Sequence, residues 1–199
     1  MSEHPILFSA DMVRAILDGS KTQTRRIIKP QPPDWRWNRH KWDDRCINVA
    51  NHEGLGDYYV ICLYGKPGNR LWVRETWKLA DGCLYYKANG EPDQEDIDMQ
   101  GGKWRWRPSI FLPRIFSRIT LEIVNVRVER LHEIWTRTHT WDDCFAEGIP
   151  QSVEWEGDDG IPTPLSMFIE LWNSINSKRG YDWITNPWVW VIDFKRIIP

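Results

Sequence analysis

Ser9-Ala10-Asp11-Met12-Val13-Arg14-Ala15-Ile16-Leu17-Asp18-Gly19-Ser20-Lys21-Thr22-Gln23-Thr24-Arg25-Arg26 is the stretch on which the reading of this chain turns. Met12, Val13, Ile16 and Leu17 recur at helical spacing, Ser9 stands where a side-chain oxygen can accept from a free N–H of the first turn, and Gly19 follows as a stop. The pattern predicts a short amphipathic helix from Ala10 to Asp18. The polar run Lys21 to Arg26 then falls in the connection leaving that helix, where side chains can turn into a cleft. It ends at Ile27-Ile28 and the breaker Lys29-Pro30-Gln31-Pro32-Pro33.

Further along, residues 30 to about 56 carry prolines, asparagines and charges without apolar periodicity, and read as an insertion or long loop. Tyr58 to Tyr64 is β-branched and aromatic. Leu71-Trp72-Val73-Arg74-Glu75 follows the turn Lys66-Pro67-Gly68-Asn69, and Leu84-Tyr85-Tyr86-Lys87 is a further strand. Residues 89 to 102, acidic and glycine-containing, read as a second loop. Between Ser117 and Arg130 the residues Ile119, Leu121 and Ile123 share one alternating register and Val126 and Val128 the opposite one, so a bulge is expected near Val124-Asn125.

Trp141 to Gly148 reads as a short helix. Thr163-Pro164 caps another, which carries Leu165, Phe168, Ile169, Trp172 and Ile175 on one face, and Pro187 to Phe194 is a closing strand. Strands and helices do not alternate as βαβ units, so the expected class is α+β, a small mixed β-barrel flanked by short helices. The 199 residues are short for two full domains, and one domain over 1–199 is expected.

Composition narrows the function. Hydrophobic residues at 41% and charged residues at 27% describe a folded chain, and a formal net charge of −2 argues against a basic coat that holds long nucleic acid non-specifically. Cys46, Cys62, Cys83 and Cys144 form no CxxC pair and lie at no zinc-finger spacing from the histidines; reduced thiols and no metal are expected. His132 and His139 lack a partner pattern for metal and are expected to be structural. Met1-Ser2-Glu3-His4-Pro5 has no export pattern, and no segment approaches the ~18 apolar residues of a membrane span. A cytoplasmic protein with no lipid partner is expected.

The motif Gly19-x-Lys21-x-x-Thr24-x-Arg26 after a short helix resembles the signature of ASCH domains. Leu71 to Trp77, Ala146-Glu147-Gly148 and Asn186 to Val191 add to the likeness, which is to the larger, tryptophan-rich ASCH proteins common in phages and prophages. The resemblance implies a PUA-like barrel in which about 31–56 and 89–110 are insertions. Some ASCH members are amidohydrolases that deacylate N(4)-acetylcytidine with a lysine, a threonine and a glutamate. Lysine and threonine fall on Lys21 and Thr24, and the glutamate on Glu147. Other members are described as RNA-binding or as ribonucleases. The implied partner is therefore a modified pyrimidine nucleoside or RNA, with no cofactor.

In a helical turn, Lys21 and Thr24 would share one face. A buried lysine beside Arg25 or Arg26 is pushed toward its neutral form and can take the proton from a hydroxyl, so that Thr24 attacks an acyl carbon or orients a water. Glu147 would protonate the departing nitrogen or hydrogen-bond the base edge. The competing reading of the run is a solvated turn whose arginines pair with nearby acids. Gly19, Arg26, Glu75 and Trp77 are the expected substrate-binding residues, Glu75 being also an ordinary partner for an arginine.

Trp35-Arg36-Trp37 and Trp104-Arg105-Trp106 interleave stacking planes with charge, as single-stranded nucleic acid requires. An edge hairpin with tryptophans packed inward and arginines in water has the same pattern. Three functions follow: an amidohydrolase on an N(4)-acylated cytosine nucleoside, a non-catalytic module binding RNA or a modified base, and a phage accessory protein acting through protein contacts.

Overall fold

The computed structural model describes residues 2–31, 42–43, 46–49, 58–136, 140–151 and 163–198. Its centre is a five-stranded mixed sheet built from β1 (Glu3–Leu7), β2 (Gln23–Ile27), β6 (Arg70–Arg74), β9 (Thr120–Arg130) and β10 (Trp188–Ile197), in the order β1-β6-β9-β10-β2. β1 runs parallel to β6 and the other pairs are antiparallel. Pro5 sits in β1, an end strand, where the missing N–H breaks no inner ladder. Among the described residues the sheet does not close on itself.

The run Val189-Trp190-Val191-Ile192 in β10 is buried on both faces of the sheet. On one face Trp190, Ile192 and Phe194 join Ile6, Leu71, Val73 and Ile123 beneath α1 (Ala10–Asp18), which contributes Val13 and Ile16. On the other, Val189 and Val191 meet Leu131, Ile134 of α3 (Glu133–Thr136), Cys144 of α4 (Asp142–Ala146), and Phe168 and Trp172 of α5 (Pro164–Asn176). Each fully buried aliphatic or aromatic side chain is worth about 1.5–3 kcal/mol against leaving it in water, so these two layers fix where β2 and α4 lie.

The helix ends follow their local chemistry. Ser9 accepts from the Met12 N–H, Gly19 closes α1 with φ +87°, and Thr163 accepts from the Ser166 N–H ahead of Pro164. The bulge predicted near Val124-Asn125 is present: Asp193 pairs with Asn125 and Phe194 with Ile123, which leaves Val124 as the extra residue, turned out to solvent.

Several expectations are corrected. Gln23 to Ile27 is a strand paired to β10 and not a helical turn or loop, so Lys21 and Thr24 are not related by helical spacing. The segment 89–102 contains α2 (Gln94–Met99), whose N-cap Asp93 accepts from the Asp96 N–H. The expected loop over 30–56 includes β3 (Trp42–Asp43) and β4 (Cys46–Val49), which pair antiparallel with each other and with β5 (Tyr58–Val60). β7 (Trp77–Ala80) and β8 (Cys83–Tyr86) form a separate hairpin.

Candidate active site

Lys21 leaves α1 through the Gly19-Ser20 turn, where its own N–H donates to Ala15 O at 2.8 Å. Its side chain is fully buried, and Nζ donates to Glu147 Oε2 at 2.9 Å and to the Glu147 main-chain carbonyl at 2.6 Å. Glu147 is held at the C-terminal end of α4, with its N–H bonded to Asp143 O and Cys144 O. Gly148 follows with φ +89°, and a Cβ there would stand 3.1 Å from Ala15 Cβ and 3.2 Å from Lys21 Cβ. Only glycine supplies both that backbone conformation and that close approach.

β2 carries the next residues. Its side chains divide between the two faces of the sheet: Thr24 and Arg26 lie toward the α1 layer, Gln23 and Arg25 toward α4. The ladder bonds Phe194 N–H to Thr22 O (2.8 Å) and Ile28 N–H to Trp188 O (3.1 Å) set the even-numbered residues as the bonded pairs. By the alternation of antiparallel ladders, the N–H and C=O of Arg25 point away from β10, toward the open side of β2.

Arg25 is buried among carboxylates. Its guanidinium donates to Asp143 Oδ2 (2.8 Å), Glu147 Oε1 (3.2 Å) and Glu129 Oε2 (3.4 Å). Gln23 donates to Asp193 Oδ1 at 2.8 Å, and Arg127 joins Glu129 and Asp193, each at 2.6 Å. Glu147 thus takes one donor on each oxygen, Lys21 on one and Arg25 on the other. Burial pushes the Lys21 ammonium toward its neutral form, Glu147 opposes this, and Arg26 and Arg25 add to it.

Beside this network lies a cavity of about 260 Å³ along β2, lined by Thr24, Arg25, Arg26 and Glu147, by Trp190 of β10, by Phe168, Leu171, Trp172 and Asn176 of α5, and by Lys29, Tyr64 and Arg179. Trp190 stands directly across the ladder from Arg26. Arg26 donates from Nη2 to Leu7 O at 2.7 Å with its guanidinium 5.0 Å from the Phe8 ring centre, while its Nε is buried without a partner. Burial lowers the affinity of this guanidinium for its proton, Tyr64 and Glu147 oppose this, and Arg179 adds to it.

Of the residues singled out in the sequence, the structure brings Thr24, Arg26 and Glu147 to one cavity, with Lys21 behind Glu147 and not on the wall. The others lie elsewhere. Gly19 is an exposed helix stop. Glu75 is buried and forked to Arg118, with both contacts at 2.9 Å, because β6 ends on the side of Arg118. Trp77 packs on Phe116 with ring centres 5.7 Å apart, under Arg107.

Trp104 and Trp106 pack edge to face against each other, Trp104 likewise against Tyr85, while Arg105 is exposed. Both tryptophans are half-buried and lie outside any strand. Trp35, Arg36 and Trp37 lie outside the described residues, as does His139. The ring nitrogen Nε2 of His132 pairs with Trp183 O at 2.8 Å.

Arg25, Asp143 and the α5 wall were not anticipated. Asp143 lies far from β2 in sequence and carries no local signal, and Arg25 stands in a polar run with Ile27-Ile28 on one side only, which does not announce its burial.

Among the described residues no group of three or more His, Cys, Asp or Glu is placed to hold a metal, and no helix is long and apolar enough to cross a membrane. Compared with protein-family models, curated proteins and solved structures, the chain has no match.

Proposed function

We propose that the chain is an ASCH-type protein of PUA-like barrel architecture that hydrolyses the amide of an N(4)-acylated cytosine nucleoside. The observation that carries this reading is the meeting of Lys21 Nζ and Glu147 Oε2 at 2.9 Å behind a small cavity that Thr24 and Glu147 line. The fold supports it through the five-stranded mixed sheet with α1 across one face.

In the reaction, Thr24 holds a water against the acyl carbon. Glu147 takes one proton from that water as the C–O bond forms, and returns it to the exocyclic nitrogen as the C–N bond breaks, releasing a carboxylic acid and the free amine. Lys21 touches Glu147 and not the cavity, so it acts by positioning that carboxylate. The test is incubation with N(4)-acetylcytidine and chromatography of the products. Free cytidine is expected, with kcat lowered about 100- to 10,000-fold in Glu147→Gln at little change in KM. Equal turnover by the Gln variant refutes the assignment.

A second reading is favoured by one observation: both oxygens of Glu147 are already engaged by Lys21 and Arg25, which makes the carboxylate a fixed acceptor for a base amine. A non-catalytic module of this kind binds a modified base or RNA without turnover, and its RNA affinity falls steeply with salt.

A further inference from the structure

The cavity is unevenly charged. Among the described residues its one lining carboxylate, Glu147, is engaged by Lys21 and Arg25, whereas Arg26, Lys29 and Arg179 also line it. Among the described residues no ion pair engages any of these three. They share that cavity: Arg179 is near enough to act on the charge of Arg26, and Lys29, two residues past the end of β2, has its Nζ 5.3 Å from the Tyr181 ring centre. Arg26 is fixed by Leu7 O and Phe8, with its Nε–H buried and unpartnered. Three cations on one cavity, with Glu147 as the one carboxylate acting on Arg26 and itself held by Lys21 and Arg25, leave positive charge in excess, and an arginine fork with a free N–H is the group that binds phosphate oxygens best.

We infer that this cavity takes a phosphorylated ligand, a mononucleotide whose base lies against Thr24, Glu147 and Trp190 and whose phosphate is held by Arg26, Lys29 and Arg179. This rests on the reading of the site as a pyrimidine pocket. The size suits one nucleotide: about 260 Å³ is near the lower end of small-molecule pockets, roughly 300–1,000 Å³. Phosphate placed there neutralises the repulsion between Arg26 and Arg179, which the neutral nucleoside leaves in place.

The experiment is calorimetric titration of the full chain with two matched pairs, cytidine and its 5′-monophosphate, and N(4)-acetylcytidine and its 5′-monophosphate, followed by a trinucleotide with the same base at its centre. The monophosphate of at least one pair is expected to bind about 10- to 100-fold more tightly than its nucleoside. Lys29→Gln and Arg179→Gln replace exposed side chains and leave the fold intact; each is expected to cut that advantage roughly tenfold while nucleoside affinity stays within about twofold.

Equal affinities within both pairs, an advantage that survives in the Lys29→Gln/Arg179→Gln double variant, or tighter binding of the trinucleotide than of the mononucleotide each overturns the inference. The two readings fail separately. Preferred binding of the monophosphate without acetyl release removes the hydrolase and leaves the phosphate site, whereas acetyl release with no preference for phosphate does the reverse.

Discussion

Replacing Lys21 by Met tests whether the buried pair with Glu147 holds the site together. The substitution keeps an unbranched apolar stem and removes the ammonium, losing the 2.9 Å contact to Glu147 Oε2 and the 2.6 Å bond to the Glu147 carbonyl. Both side chains are almost wholly buried, at 0% and 5% exposure, so the carboxylate left behind cannot hydrate as a surface group would. Removing one partner of such a pair costs about 3–5 kcal/mol. Arg25 still reaches Glu147 Oε1 at 3.2 Å and the cavity admits water, which places the loss at the lower end, about 3 kcal/mol.

For a chain of this length that loss is about 6–12 °C in Tm, against at most about 4 °C for a surface pair. Urea unfolding and calorimetry measure it. Adding Glu147→Gln to Lys21→Met removes the carboxylate that has lost its ammonium partner, and the double variant is expected to regain at least about 1.5 kcal/mol relative to additivity. A loss below about 1 kcal/mol for Lys21→Met, or strict additivity in the double variant, refutes the argument that this pair is a buried electrostatic unit.

Burial pushes the Cys144 thiol up to about 12 from 9.0, so between those values the native state keeps a proton that the unfolded chain has lost. Stability therefore falls as pH rises above 9, by up to about 1.4 kcal/mol per pH unit; urea unfolding across pH 8 to 11 should show a shallower decline in Cys144→Ala, and an unchanged slope counts against this. Deleting Val124 removes the extra residue of the bulge, so that Ile123 and Val126 stand two positions apart on one face and the pairing of β9 with β10 runs on without a slip. The variant is expected to keep a cooperative thermal transition by circular dichroism, whereas an added Ala beside Val124 is expected to lose it; the reverse order would contradict the assigned register.

What the sequence made legible depended on where the determining force lay. The helix 10–18 and the helix opening at Thr163-Pro164 are written in local terms, apolar spacing plus caps, and both were read to within a residue or so. The bulge at Val124 is also local, a slip in alternation between Ile123 and Val126. β2 was not legible, because Thr24, Arg25 and Arg26 look like a wet turn until Asp143, Glu129 and Glu147 arrive to satisfy them. Burial of a charge is decided by its partner, and here the partners stand more than a hundred positions away. α2 was hidden for the opposite reason: it buries no side chain, so its capping Asp93 was its main signal.

β10 lies between β9 and β2, and Ile27 finds its partner in Val189. The strand that carries Thr24 and Arg26 thus has nothing to zip onto until a segment near the far end of the sequence has docked, and such distant pairings make folding slow. A fragment stopping before residue 188 would keep α1 and its caps yet present Gln23 to Ile27 as an unpaired ribbon with no Trp190 opposite it. Ligand binding would then serve as a gauge of whether the whole chain has threaded home, and proteolytic loss of the last strand would silence the protein more completely than a cut in any surface loop.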